Sequence, residues 1–156
     1  MELSTRLWEP DVLMKAYEQL LADDSVDTLP LVISGNSMSP FLVHDRDTVY
    51  LSRLKNPISK GQMLLYRRFN GQYVLHRVYR VEEDSLTMVG DAQTELEPGI
   101  RPGQVIAVVT SALRKGKMQT PGCFWWEFFE KVWIRMVPLR PVIRGVYTAF
   151  RRLWKG

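Results

Sequence analysis

The dipeptide Asn70-Gly71 constrains this fold more than any other pair in the chain. It separates two strand-like runs, Met63 to Phe69, which carries apolar and aromatic residues, and Gln72 to Val81, which is rich in valine and tyrosine. Both turn residues tolerate positive φ, as a two-residue type I′ hairpin requires. The spacing therefore predicts a hairpin in which Phe69 faces Gln72 and Leu65 faces His76. Four more strand-sized runs lie between turn residues: Leu31 to Ile33, Thr48 to Leu51, Leu86 to Val89 and Val105 to Val109. Tight turns between short strands predict a mainly β domain, an antiparallel sheet or a barrel-like fold.

Helices are expected at the two ends. From Asp11 to Ala22, the apolar residues Val12, Leu13, Ala16, Leu20 and Leu21 recur at helical spacing. Pro10 suits a first helical position and Glu9 the positive end of the helix; Asp23-Asp24-Ser25 reads as the exit. Near the C-terminus, Phe124, Trp125, Phe128, Phe129, Val132, Trp133 and Met136 also recur helically. Pro138 and Pro141 interrupt them, and Val142 to Trp154 resumes the pattern. This predicts two short amphipathic helices joined to the β body by Thr120-Pro121-Gly122. The chain thus divides into a helical segment over 1–28, a β domain over 29–119 and a basic, aromatic helical tail over 120–156.

Composition excludes several function classes. A chain of 156 residues is long enough to bury a core. The single cysteine, Cys123, excludes an internal disulfide framework, and two separated histidines give no zinc spacing. No glycine-rich phosphate loop is present. No run approaches the roughly 18 to 20 apolar residues that span a bilayer, and no secretory leader is visible, so a cytoplasmic protein is expected. From Phe124 onward, seven basic residues face two acidic ones. A basic tail rich in tryptophan and phenylalanine fits a peripheral contact with a membrane surface through Phe124 to Gly156, or packing on the β body. No recognised nucleic-acid module accompanies the charge, and nucleic acid is not an expected partner.

Three separated residues are suited to one reaction. Ser37 lies in the turn Ser34-Gly35-Asn36-Ser37-Met38-Ser39-Pro40, after an apolar run. His76 lies inside a strand, and Asp91 ends the next one. A serine hydroxyl attacks a carbonyl only when a base removes its proton. A neutral imidazole suits that task, and a carboxylate fixes the ring and stabilises its cation. Each residue alone also has an ordinary structural reading, as a turn serine, a packed histidine and a turn aspartate.

The ordered set of motifs resembles the type I signal peptidases. Ser37-Met38-Ser39-Pro40 is similar to their nucleophile box. Gly61 to Arg67 is similar to their Gly-Asp-Ile-Val strand, and Val74 to Val78 to the His-Arg-Val box of the endoplasmic-reticulum and sporulation branch. Gly90-Asp91-Ala92-Gln93 resembles the following Gly-Asp box, and Pro102 to Val109 the closing strand. The boxes cover about half the chain, Leu31 to Val109. The wider S24/S26 group includes the self-cleaving repressors of the bacterial damage response.

The resemblance implies an antiparallel β fold of the signal peptidase and LexA kind, and a serine endopeptidase acting on an extended peptide or protein segment, with no cofactor. Ser37 becomes the nucleophile and His76 the base, where most bacterial relatives use lysine; Lys55 and Lys60 are weaker alternatives. The acid is Asp91 or, six residues on, Glu97. Met38, Phe41 and Leu42 are candidates to line the substrate groove, or else ordinary core residues. His44 reads as part of a surface turn. Gly35 stands where the family has a small hydroxyl residue that helps stabilise the oxyanion. That departure keeps open a weakly active or inactive peptide-binding module, and the tail keeps open a peripheral membrane adaptor.

Overall fold

Eight strands form one antiparallel sheet in the computed structural model, which describes residues 10–23 and 26–155. Glu9, Asp24, Ser25 and Gly156, which entered the expectations above, lie outside those residues. The strands are β1 (Thr28–Val32), β2 (Thr48–Ser52), β3 (Met63–Arg67), β4 (Tyr73–Val81), β5 (Leu86–Val89), β6 (Glu97–Ile100), β7 (Val105–Arg114) and β8 (Lys117–Gln119). Their order is β1-β2-β7-β3-β4-β5-β6, with β8 paired to β7. Two strands, β6 and β8, have no counterpart in the sequence reading. β6 reads Glu-Pro-Gly-Ile, a composition that marks a turn when local preference alone is weighed.

The Asn70-Gly71 hairpin forms with a different turn. Arg68 N–H donates to Gln72 C=O at 2.8 Å, and Gly71 N–H donates back to Arg68 C=O at 2.9 Å. The loop is therefore Phe69-Asn70-Gly71, three residues long, and only Gly71 takes a left-handed φ, at 90°. This is the type I turn closed by a left-handed glycine. Asn70 accepts the Gln72 N–H with its side chain, at 3.0 Å. The extra loop residue shifts the register by one, so Leu64 rather than Leu65 pairs with His76. A one-residue shift exchanges the faces of a strand. It puts Leu64, Tyr66 and His76 on one side and Leu65 on the other.

Both sides of the sheet are buried. Leu64, Tyr66, Val74, Val78, Leu86, Met88 and Ile100 pack together on the His76 side. The second cluster joins Leu51, Leu65, Ala107 and Val109 to Met14 and Leu21 of helix α1 (Pro10–Ala22) and to Trp126 and Phe129 of the tail.

The tail is not two simple helices. One helical turn, α2 (Phe124–Glu127), passes into a π turn over Phe128–Val132 and a 3-10 segment over Trp133–Leu139. Pro138 lies inside that segment, where its missing N–H forbids a regular α-helix. Pro141 does the reverse of breaking a helix. It sits in the first turn of α3 (Arg140–Trp154), where no internal donor is needed. Trp126, Phe129, Ile134 and Val137 are buried on the body. The Phe129 ring lies 4.9 Å from that of Phe41, centre to centre.

Candidate active site

The turn that carries Ser37 is built from its neighbours' burial. Met38, Phe41 and Leu42 are all at most 2% exposed and anchor the turn in the core. Phe41 and Leu42 consequently do not line a groove. Phe41 is enclosed by Trp126, Phe129 and the guanidinium groups of Arg77 and Arg114. Met38 alone of the three reaches the cleft wall.

Two contacts hold the turn from outside. Gly35 N–H donates to His44 Nδ1 at 2.8 Å, and His44 Nε2 faces Asp45 at 3.0 Å. The segment read as a surface turn therefore braces the turn that carries Ser37. Its last residue, Asp47, is fully buried and accepts from Val43 N–H, Lys115 N–H and Arg46. On the other flank, Ala92 N–H donates to Ser37 C=O at 2.9 Å. A Cβ on Gly90 would stand 2.5 Å from that same carbonyl oxygen, so this close approach requires glycine.

Ser37 and His76 line one cleft of about 600 Å³. Leu13 and Met14 of α1 form part of its wall, as do Leu31 to Ser34, and Arg68, Leu75 and Gln93 border it. No hydrogen bond joins Ser37 to His76, and among the described residues none accepts from the Ser37 hydroxyl or donates to it. Catalytic hydrogen bonds of this kind often tighten only when substrate is bound. Lys55 and Lys60 do not border this cleft; Lys60 lies over the Tyr79 ring. Among the described residues, no group of histidine, cysteine and carboxylate side chains is placed to hold a metal ion.

Behind His76 stands a tyrosine, not a carboxylate. Tyr66 Oη lies 3.3 Å from His76 Nδ1 and donates to Glu97 Oε2 at 2.6 Å. Arg68 holds the same carboxylate through Nε at 2.6 Å and Nη2 at 2.9 Å. The phenol has one proton, and it is committed to Glu97. Its oxygen can then only accept from the imidazole. His76 therefore carries its proton on Nδ1 and keeps a lone pair on Nε2. Tyr66 was legible as part of a strand, but its role was missed. The signal for it is the register: Tyr66 sits diagonally across from His76 on the same face, within reach of a long side chain.

Electrostatics keep this set in fixed protonation states. Burial pushes the His76 pKa down to about 4; the Arg68 charge acts in the same direction and the Glu97 charge opposes it. The ring is neutral at physiological pH. Burial pushes Glu97 up, but the hydrogen bonds from Arg68 and Tyr66 outweigh it and hold the carboxyl below its ordinary value. Burial and the adjoining Glu97 raise the Tyr66 phenol, so it stays protonated.

Asp91 belongs to a different network. Both its oxygens are held by Arg77, through Nε at 2.9 Å and Nη2 at 3.0 Å. Arg77 follows His76 on β4, so its side chain points to the opposite face. It also donates to Gly61 C=O at 2.7 Å. Asp91 thus holds the neighbour of His76 and not His76 itself. The tail completes this support. Trp133 Nε1 donates to Asp91 C=O at 2.8 Å, and the buried Arg140 donates to Gly90 and Gln93 C=O at 2.9 and 2.7 Å.

No family model, curated protein or solved structure matches the chain. Among the described residues, no helix is long and apolar enough to cross a membrane.

Proposed function

We propose that the chain is a serine endopeptidase similar to signal peptidase I of the Ser/His branch, with the antiparallel fold of that group. It cuts a peptide bond in an extended peptide or leader segment. The observation that carries this reading is the shared cleft: a serine on a braced turn and a buried, neutral histidine line the same cavity, with Tyr66 and Glu97 behind the ring.

In this mechanism, Ser37 Oγ attacks the scissile carbonyl as His76 Nε2 takes its proton. The imidazolium so formed is held by Tyr66, which is itself held by Glu97. The same proton then passes to the leaving amine, and water attacks the acyl-enzyme by the reverse use of His76. Gly35 N–H is occupied by His44, which leaves the Ser37 N–H to stabilise the oxyanion. A donor of this kind contributes about 3 kcal/mol, so a site with one is a modest catalyst.

The edge of β1 suits an extended substrate. β1 pairs with β2 alone. Ile33 turns both its N–H and C=O to the β2 side, toward Asp47 and Asp45. By strand alternation, the backbone groups of Val32 and Ser34 point to the open edge, beside Ser37. Tyr17 occupies the next outward carbonyl, that of Pro30, and so limits strand addition at that end.

A second reading is a peptide-binding module without turnover. The absence of a Ser37–His76 hydrogen bond and the occupied Gly35 N–H favour it. The two are separated by incubating the purified protein with a peptide mixture and analysing products by mass spectrometry. Defined cuts, absent from Ser37→Ala, support the peptidase. Retained peptides with no product at any pH leave only the module.

A further inference from the structure

Helix α3 leaves the body with an apolar face that none of the described residues covers. Val142, Val146, Phe150, Leu153 and Trp154 are each at least 62% exposed. They fall at helical spacing along one side of its 15 residues. Arg144, Arg151 and Arg152 occupy the other side, and no acidic residue follows Glu130 anywhere in the chain.

The earlier half of the tail is anchored differently: Trp126, Phe129, Ile134 and Val137 are buried in the body, although Phe124, Trp125 and Val132 stay exposed. The tail therefore has two tasks. The buried side chains of its first half complete the core, and beyond Arg140 the apolar face of α3 has no cover among the described residues. Arg140 ties the two together: it is fully buried, starts α3 and clamps the Gly90 and Gln93 carbonyls beside the Ser37 turn. One turn on, Arg144 borders a shallow hollow with Arg68 and Glu97.

We infer that α3 docks the protein onto an anionic membrane surface, with the Glu97 side of the cleft next to the headgroups. An amphipathic helix with Trp, Phe and Leu on one face and arginines on the other lies in the bilayer interface, its apolar side in the acyl boundary. The uniformly basic opposite face supplies the complement to anionic lipid. Nucleic acid would match the charge but leave the apolar face in water. This docking stands or falls independently of the peptidase reading.

Flotation of the full chain with vesicles tests it. One set is phosphatidylcholine alone, the other phosphatidylcholine mixed with phosphatidylglycerol. The protein is expected to float with the mixed vesicles, and less so as salt is raised. Each basic residue near such a surface contributes about a fivefold gain in partition. Arg151→Gln with Arg152→Gln should therefore weaken binding on the order of twentyfold. Phe150→Glu with Leu153→Glu should abolish it, while far-ultraviolet circular dichroism and the melting temperature stay as in the parent, because both residues are exposed. Undiminished flotation of the Glu variant would overturn the proposal. So would failure of the parent chain to float, including the case where sedimentation shows a dimer that the Glu variant breaks.

Discussion

Tyr66 joins His76 to Glu97: its hydroxyl donates to the carboxylate at 2.6 Å and stands 3.3 Å from the imidazole Nδ1. The carboxylate thus reaches His76 through one intervening phenol. Removing the hydroxyl frees the ring to adopt either tautomer. Tyr66→Phe is expected to lower kcat/KM for peptide cleavage by about 10- to 100-fold, the range found for groups that orient a metal-ligating histidine. Glu97→Gln should fall in the same range, and the double variant should be little worse than either alone. Fully additive losses would show that the two residues do not act as one unit.

Asp91 and Glu97 should separate by phenotype. Asp91→Asn leaves the buried Arg77 without its charge partner, and breaking such a pair costs about 3–5 kcal/mol. Chemical denaturation is expected to show that loss. Glu97 is partly exposed, and Glu97→Gln should change the melting curve much less than the rate. An Asp91→Asn protein of unchanged stability would contradict the assignment of this carboxylate to a structural network.

The pH dependence follows from the burial of His76. Its pKa of about 4 keeps the ring in the basic form well below neutrality. The acid limb of kcat/KM is expected near pH 4 rather than at the ordinary histidine value. Stability moves with it. Unfolded His76 titrates near 6.5 and folded His76 near 4, so between these values the unfolded chain binds more protons. Stability due to this residue is complete above about pH 6.5 and falls by about 3 kcal/mol as the pH drops to about 4. Denaturation at several pH values, compared with His76→Leu, isolates this contribution.

Gly90 should not tolerate a side chain. Its φ is unremarkable, so the cost is purely steric: the new Cβ meets the Ser37 carbonyl oxygen at 2.5 Å. Gly90→Ala is expected to displace the Ser37 turn and lower kcat for peptide cleavage by about 100-fold, the cost of roughly an ångström of misplacement. A melting temperature measured alongside distinguishes this local shift from unfolding.

Much of this was legible in sequence, and the gaps have physical causes. The strand runs were readable because alternation and β-branched content are local properties. The hairpin was readable as well, but not its register. Asn-Gly suits both a two-residue turn and a three-residue loop ending in glycine, and the choice between them moved His76 from opposite Leu65 to opposite Leu64. That shift sets which residues stand behind His76, so the places of Tyr66 and Arg68 are not evident from the sequence. Asp91 was attractive through its place in a Gly-Asp box. Only strand alternation, with Arg77 on the face opposite His76, assigns it elsewhere. Phe41 and Leu42 looked like groove residues because they follow the serine. Both are buried, and the rings that pack on Phe41, Trp126 and Phe129, are more than eighty residues away in the chain.

The central claim is that Ser37 and His76 form one catalytic unit. Its most direct test is the cleavage rate of a single peptide by the parent protein, Ser37→Ala, His76→Ala and the double variant, with folding verified for each. The expected result is a loss of about a thousandfold or more in each single variant, and no further loss in the double. A parent that cleaves while either single variant retains a rate within about tenfold of it would contradict the account, since residues that act as a unit fail together.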